Sequence, residues 1–235
     1  MQRYFKTTDL DTFELSSDDS YHITKVMRNK IGDNIEVVID KKLYICEITK
    51  ISDLVTVKKV QEVECDSELS CYITIAQSLV KEQKMDLILQ KLTELGVSSI
   101  IPVKTERSIV KIDDSKKDKK HHKWHMICKE ASEQSHRVTI PMVNNIMSLK
   151  ELINNKKDIN LICSLNENTK PLDSYLTKDV KSILFVIGPE GGFSQKEEAF
   201  LIENGFECTT LGKRVLRVET AAIYVASVIN HIYKG

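Results

Sequence analysis

Two glycine-bearing stretches near the C-terminal end carry residue types that chemistry needs. The first is Gly188-Pro189-Glu190-Gly191-Gly192-Phe193-Ser194. The second is Leu211-Gly212-Lys213-Arg214-Val215-Leu216-Arg217-Val218-Glu219-Thr220. Five of the chain's eight glycines fall between Gly188 and Gly212. Lacking a Cβ, glycine lets backbone amides and carbonyls approach a ligand closely. Neither stretch is a phosphate loop, since no Lys-Ser or Lys-Thr follows the first and the GxGxxG spacing is missing. Pro189 removes an amide, and Glu190 would repel a pyrophosphate. A ligand with a positive centre and an adenine edge that backbone groups can read suits both stretches better. S-adenosylmethionine is such a ligand.

The flanking patterns are those that would position these loops. Ile183 to Ile187 is a continuous apolar run, the pattern of a strand buried on both faces. Ser194 is a natural N-cap for a helix that Gly205 ends, and Phe206 to Leu211 reads as a further short strand. The last helix runs from Ala221 to Tyr233. Each loop therefore sits at the C-terminal end of a strand, the edge where open parallel sheets bind ligands. Upstream, Tyr72–Leu79 reads as a strand, Lys84–Leu95 as an amphipathic helix stopped by Gly96, and Ser99–Val103 as a strand. Ile159–Cys163 is another strand, and Ser164-Leu165-Asn166 makes a third loop at the same edge. This alternation predicts an α/β domain with a parallel sheet over residues 71–235. Residues 1–68 read as a smaller β-rich domain, with strands at Asn34–Asp40, Leu43–Lys50 and Leu54–Val60 and a short helix over Ser20–Arg28. The polar, acidic stretch Gln61–Ser70 is the linker.

The two C-terminal motifs together resemble the ribosomal RNA small subunit methyltransferase E family of the SPOUT superfamily. Further matches follow in the family's order: Met1-Gln2-Arg3-Tyr4-Phe5, Val26-Met27-Arg28, Gln90 to Val97, and Glu130 to Arg137. The likeness covers almost the whole chain. It implies S-adenosylmethionine-dependent methylation of uridine N3 in 16S ribosomal RNA. It also implies a C-terminal SPOUT sheet with a deep trefoil knot, an N-terminal PUA-like β-barrel, a homodimer and a cytoplasmic location. Leu165, Gly188, Glu190, Gly191, Gly192, Leu211, Gly212, Val215, Leu216 and Thr220 are the expected cofactor residues. Arg3, Tyr4, Arg28, Arg107, Gln134 and Arg137 are the expected RNA contacts. Arg217 is the candidate for stabilising a uridine anion or a phosphate. Glu219 either orients Arg217, accepts a proton, or is only a first-turn helix carboxylate. Tyr4 has a second reading as a core residue. The family commonly has two histidines before Val-Leu-Arg, where this chain has Tyr21-His22 and Met27, so His22 is read as structural.

Composition sets the bounds. The 235 residues carry 34 basic and 34 acidic side chains, so the net charge is zero and RNA binding must rest on local charge. Lys104 to Arg137 is the basic stretch. Only six of the 34 cations are arginine, and all six lie in or beside the family-like motifs. Six scattered cysteines without a CxxC pair read as reduced cytosolic thiols. No apolar run is long enough to span a membrane, and the N-terminus lacks a signal-peptide core. His121, His125 and Cys128 share a helix but lack the spacing of a zinc site, so no metal is expected. Two other functions compete: a methyltransferase with another RNA target, such as a ribose 2′-hydroxyl, and a non-catalytic RNA-binding assembly factor.

Overall fold

A computed structural model describes residues 1–110, 112–164 and 169–234. The chain forms two units, one of residues 1–67 with 132–139, the other of residues 68–131 with 140–235. The sequence marks the break near residue 68. It does not mark the return of residues 132–139 to the first unit.

The first unit contains β1 (Arg3–Phe5), β2 (Thr12–Glu14), α1 (Ser17–Tyr21), β3 (Asn34–Ile39), β4 (Lys42–Ile51) and β5 (Val55–Val63). The strands form one sheet in the order β1-β3-β4-β5-β2, parallel only between β1 and β3. Asp40 and Lys41 both have positive φ, 50° and 66°, and join Ile39 to Lys42 in a two-residue turn whose twist matches the strands. Along β3, Ile35, Val37 and Ile39 point into one core with Phe13, Leu15, Ile48 and Val57, the period of two that a half-buried strand requires. The expected helix begins earlier than Ser20, because the Ser16 side chain caps α1 by accepting the Asp19 amide. It then continues as a π-helical turn, His22–Val26.

The second unit contains β6 (Tyr72–Ser78), α2 (Glu82–Glu94), β7 (Ser99–Lys104), most of α3 (Lys117–Gln134), β8 (Met142–Val143), β9 (Met147–Ser148) and α4 (Leu149–Leu152). It continues with β10 (Ile159–Cys163), β11 (Lys170–Pro171), β12 (Ser182–Ile187), α5 (Gln195–Glu203), β13 (Glu207–Thr210) and α6 (Val218–Tyr233). The sheet order is β11-β13-β10-β12-β6-β7-β8, with β9 also on β7, and every pairing is parallel. A parallel sheet needs cover on both faces. Ile183, Phe185 and Ile187 of β12 meet Ile88 and Leu92 of α2 and Val225, Ala226 and Ile229 of α6. Leu184 and Val186 meet Leu149 and Leu152 of α4 and Leu201 of α5 on the other face. Each such side chain contributes roughly 1.5–3 kcal/mol by leaving water.

This strand order positions the site. Because β13, β10, β12 and β6 are parallel neighbours, their C-terminal ends lie side by side although they are far apart in sequence. The segments that follow them converge on one edge.

Candidate active site

At that edge lies a cavity of about 610 Å³, within the roughly 300–1,000 Å³ usual for small-molecule sites. The loop after β12 contributes Gly188, Glu190, Gly191 and Gly192, and the loop after β13 contributes Leu211, Gly212, Val215, Leu216 and Arg217. All nine were expected from sequence. Thr220 does not line the cavity; it is exposed in the first turn of α6. Leu165 lies outside the described residues. The wall also includes Lys84 and Cys163, which the sequence did not single out, and Ser164, Phe193 and Arg214, which it placed in the loops without a role of their own. Cys163 could have been found, since it leads directly into the third loop at that edge.

The first loop is shaped by its backbone. Gly192 has φ +67° and Gly212 has φ +105°, conformations that a side chain would strain. At Gly191 the demand is different. A Cβ there would meet only Arg107 carbons at 3.5 Å, an ordinary contact, so the protein itself does not require glycine at that position. Arg107 braces the loop by donating from Nη1 to the carbonyls of Gly191 (2.8 Å) and Phe193 (3.2 Å). Behind the loop, Ser194 and Glu197 form a reciprocal cap on α5, and the Glu106 amide donates to Glu197 Oε1 at 2.7 Å.

Lys84 and Glu190, which line the cavity, meet a third charged side chain, Glu219, which does not line it. Lys84 Nζ lies 3.0 Å from Glu190 Oε1 and 3.5 Å from Glu219 Oε2. The second contact is an ion pair at the limit of hydrogen-bond range, and no other hydrogen bond from the described residues reaches that buried oxygen. Burial pushes the Glu190 carboxyl up, but its own amide and the Lys84 ammonium outweigh this and hold it below the ordinary carboxylate value. The ammonium is held above its ordinary value, first by its bond to Glu190. Glu219 therefore pairs with Lys84, not with Arg217. Arg217 is exposed at the cavity, and among the described residues no hydrogen bond or ion pair engages its guanidinium. Burial raises the Cys163 thiol to about 12, so it is protonated and inert at neutral pH.

Several expected RNA contacts have other roles. Arg3 is 3% exposed; its Nε donates to Glu36 Oε2 at 2.8 Å and its Nη1 to the His136 carbonyl. Tyr4 is 1% exposed in the core, with its hydroxyl 3.0 Å from His22 Nδ1, and burial pushes that hydroxyl's pKa far up. Arg137 is 2% exposed and donates to Thr139 Oγ1. A side chain buried this deeply cannot stack on a base or grip a phosphate, so these three are corrected to interior residues of the first unit. Arg107, expected as a phosphate contact, is exposed and its guanidinium donates to two carbonyls of the cavity loop. Arg28, with φ 58°, and Gln134 are exposed. His121 Nε2 donates to the Val143 carbonyl at 2.6 Å. Among the described residues, no cluster of three His, Cys, Asp or Glu could hold a metal ion.

The parallel-sheet unit with its glycine-walled cavity and the β-rich unit each match a family of RNA methyltransferase domains. The RNA methyltransferase domain family matches residues 67–230, and the RNA methyltransferase PUA domain family matches residues 15–60. Ribosomal RNA small subunit methyltransferase E of Bacillus subtilis (strain 168) is 35% identical, covering 98% of this chain and 96% of its own. That of Aquifex aeolicus (strain VF5) is 33% identical, covering 87% and 88%. The crystal structure of ribosomal RNA small subunit methyltransferase E from Neisseria gonorrhoeae, bound to S-adenosyl methionine, matches with a TM-score of 0.90 at 32% identity, over 99% of this chain and 98% of that one. The chain belongs to the ribosomal RNA small subunit methyltransferase E family.

Proposed function

We propose that this protein transfers a methyl group from S-adenosylmethionine to N3 of a uridine in 16S ribosomal RNA. The observation that carries this reading is the juxtaposition, in one cavity, of backbone-lined glycine loops with Arg217, unpaired among the described residues, and the Lys84-paired carboxylate of Glu190. The residues present fit the cofactor. The loops at Gly188–Gly192 and Leu211–Leu216 offer backbone groups and apolar walls for an adenosine, and Glu190 offers negative charge for a sulfonium. When bound, the cofactor supplies an electrophilic methyl group.

This chain's residues must orient the uridine and handle its imide proton. Arg217 projects a planar, permanently charged donor into the cavity, suited to the oxygen that gains charge as N3 loses its proton. Glu219, held by Lys84, is the candidate acceptor for that proton. In the first unit Arg28 is the candidate phosphate contact, in an exposed segment with Tyr21 and Lys25. A homodimer in the cytoplasm is part of the same reading. Tyr224 of α6 is 44% exposed, and Val228 and Ile232 are only partly buried, so one face of the helix has apolar surface for a second copy. The test is to map N3-methyluridine in 16S RNA from cells with and without the protein, and then to restore it with purified protein and cofactor. A map that does not change would sink the proposal.

A further inference from the structure

Lys84 breaks a local rule. It sits in the first turn of α2, where the positive end of the helix dipole disfavours a cation. Its stem leads the ammonium to the cavity wall, where it contacts two carboxylates from two different segments: Glu190 in the loop after β12 and Glu219 in the first turn of α6. Its side chain is 31% exposed and that of Glu219 only 17%, so this is not a freely solvated surface pair. A residue that violates its local preference while joining two parts of a cavity marks a functional constraint.

We infer that Lys84 is a positioning residue for methyl transfer. One ammonium ties the glycine loop to the start of α6, so that both segments present their groups in a fixed relation. It also holds the Glu219 carboxylate, two residues after Arg217 in the chain, in an ion pair of its own. Among the ion pairs of the described residues, Lys84 is the partner of Glu219, so the lysine is what orients that carboxylate. Arg217 is thereby left free to meet the RNA. This inference rests on the methyltransferase reading above.

The test compares Lys84→Met, Lys84→Arg, Glu219→Gln and the Lys84→Met/Glu219→Gln double variant with the wild type. Wild-type methylation of 16S RNA comes first, because its absence would refute the functional reading and not the role of Lys84. Lys84→Met should lower the single-turnover rate at saturating cofactor and RNA by about tenfold or more, on the scale of losing a proton-transfer partner's alignment. Its melting temperature without ligands, and its cofactor affinity by calorimetry, should change little beside the rate. Lys84→Arg should recover most of the rate. In the Glu219→Gln background the Lys84→Met substitution should have almost no further effect, because the lysine acts through that carboxylate. A Lys84→Met protein with wild-type single-turnover rate overturns the inference. So does a rate loss that multiplies undiminished with that of Glu219→Gln. A loss confined to melting temperature and cofactor affinity would make Lys84 a structural brace only, which also overturns it.

Discussion

At the scale of single residues, the cavity separates side chains that sequence alone groups together. Arg107, Arg137 and Arg217 read from sequence as two RNA contacts and one anion-stabilising candidate, and Arg214 reads only as part of a loop. The structure buries Arg137, commits Arg107 to two loop carbonyls and leaves Arg217 at the cavity with no partner among the described residues. Arg217→Lys should therefore bind cofactor nearly as the wild type does but lose about a hundredfold or more in single-turnover methylation, the scale of losing one preorganised donor. Near-normal turnover would remove its catalytic role. Arg107→Ala should loosen the first loop and weaken cofactor binding by about tenfold, the value of one charge-assisted hydrogen bond. Its RNA affinity should keep its salt dependence. If instead the salt slope falls by about one while cofactor affinity holds, Arg107 is a phosphate contact after all. The glycine loops were legible because φ and close approach restrict residue choice. Lys84 was not, since a lysine in a helix reads the same whether it faces solvent or a carboxylate.

At the scale of elements, most strands and helices were legible from periodicity, and their ends were not. The final helix begins at Val218 and not at Ala221, which moves Glu219 from a loop into a helix turn and changes its partner. The two-residue strands β8 and β11 have no sequence signal, because so short a run has no period to detect. Helices α2 and α3 are joined by Glu82, which contacts Lys120 at 2.9 Å and Lys123 at 2.6 Å. These lysines, first Lys123 and then Lys120, hold the Glu82 carboxyl down to about 2 from an ordinary 4.5. A carboxyl lowered on folding stabilises the fold above its unfolded value, and that stabilisation is lost as pH falls through the folded one. The melting-temperature gap between wild type and Glu82→Gln should thus be steady above pH 4.5 and close toward pH 2. It should also shrink with salt, because the pair is exposed. A gap independent of pH in that range would show that the ion pairs contribute nothing.

At the scale of the whole molecule, composition and the order of patterns gave the two fold classes, since alternating strands and helices permit few arrangements. Strand order was out of reach. Periodicity names strands, but only long-range pairing puts β10 between β13 and β12 and so brings three loops together. The excursion of residues 132–139 was equally hidden, because its anchors are isolated: Arg3 on the His136 carbonyl, and Val138 in a small cluster with Val38 and Leu43. A fragment of residues 1–68 should accordingly be less stable than the same unit in the full chain by at least about 1.5–3 kcal/mol, the value of one buried valine. Urea unfolding followed by a probe in the first unit would measure this, and equal stability would show the segment to be dispensable.

That discontinuity has a bearing on how the protein is made. A polypeptide leaves the ribosome N-terminus first, and a unit built from one unbroken piece can fold as soon as that piece is out. Here the first unit lacks its last part until residue 139 has been polymerised, seventy-two residues after Ser67. At about 5–20 residues per second the wait is roughly 4–14 s. During it Val38 and Leu43 lack the cover of Val138 and the Arg3 guanidinium lacks a carbonyl that it finds later. The nascent chain therefore carries an unfinished N-terminal unit through nearly a third of its synthesis, and the second unit is already growing before the first is closed.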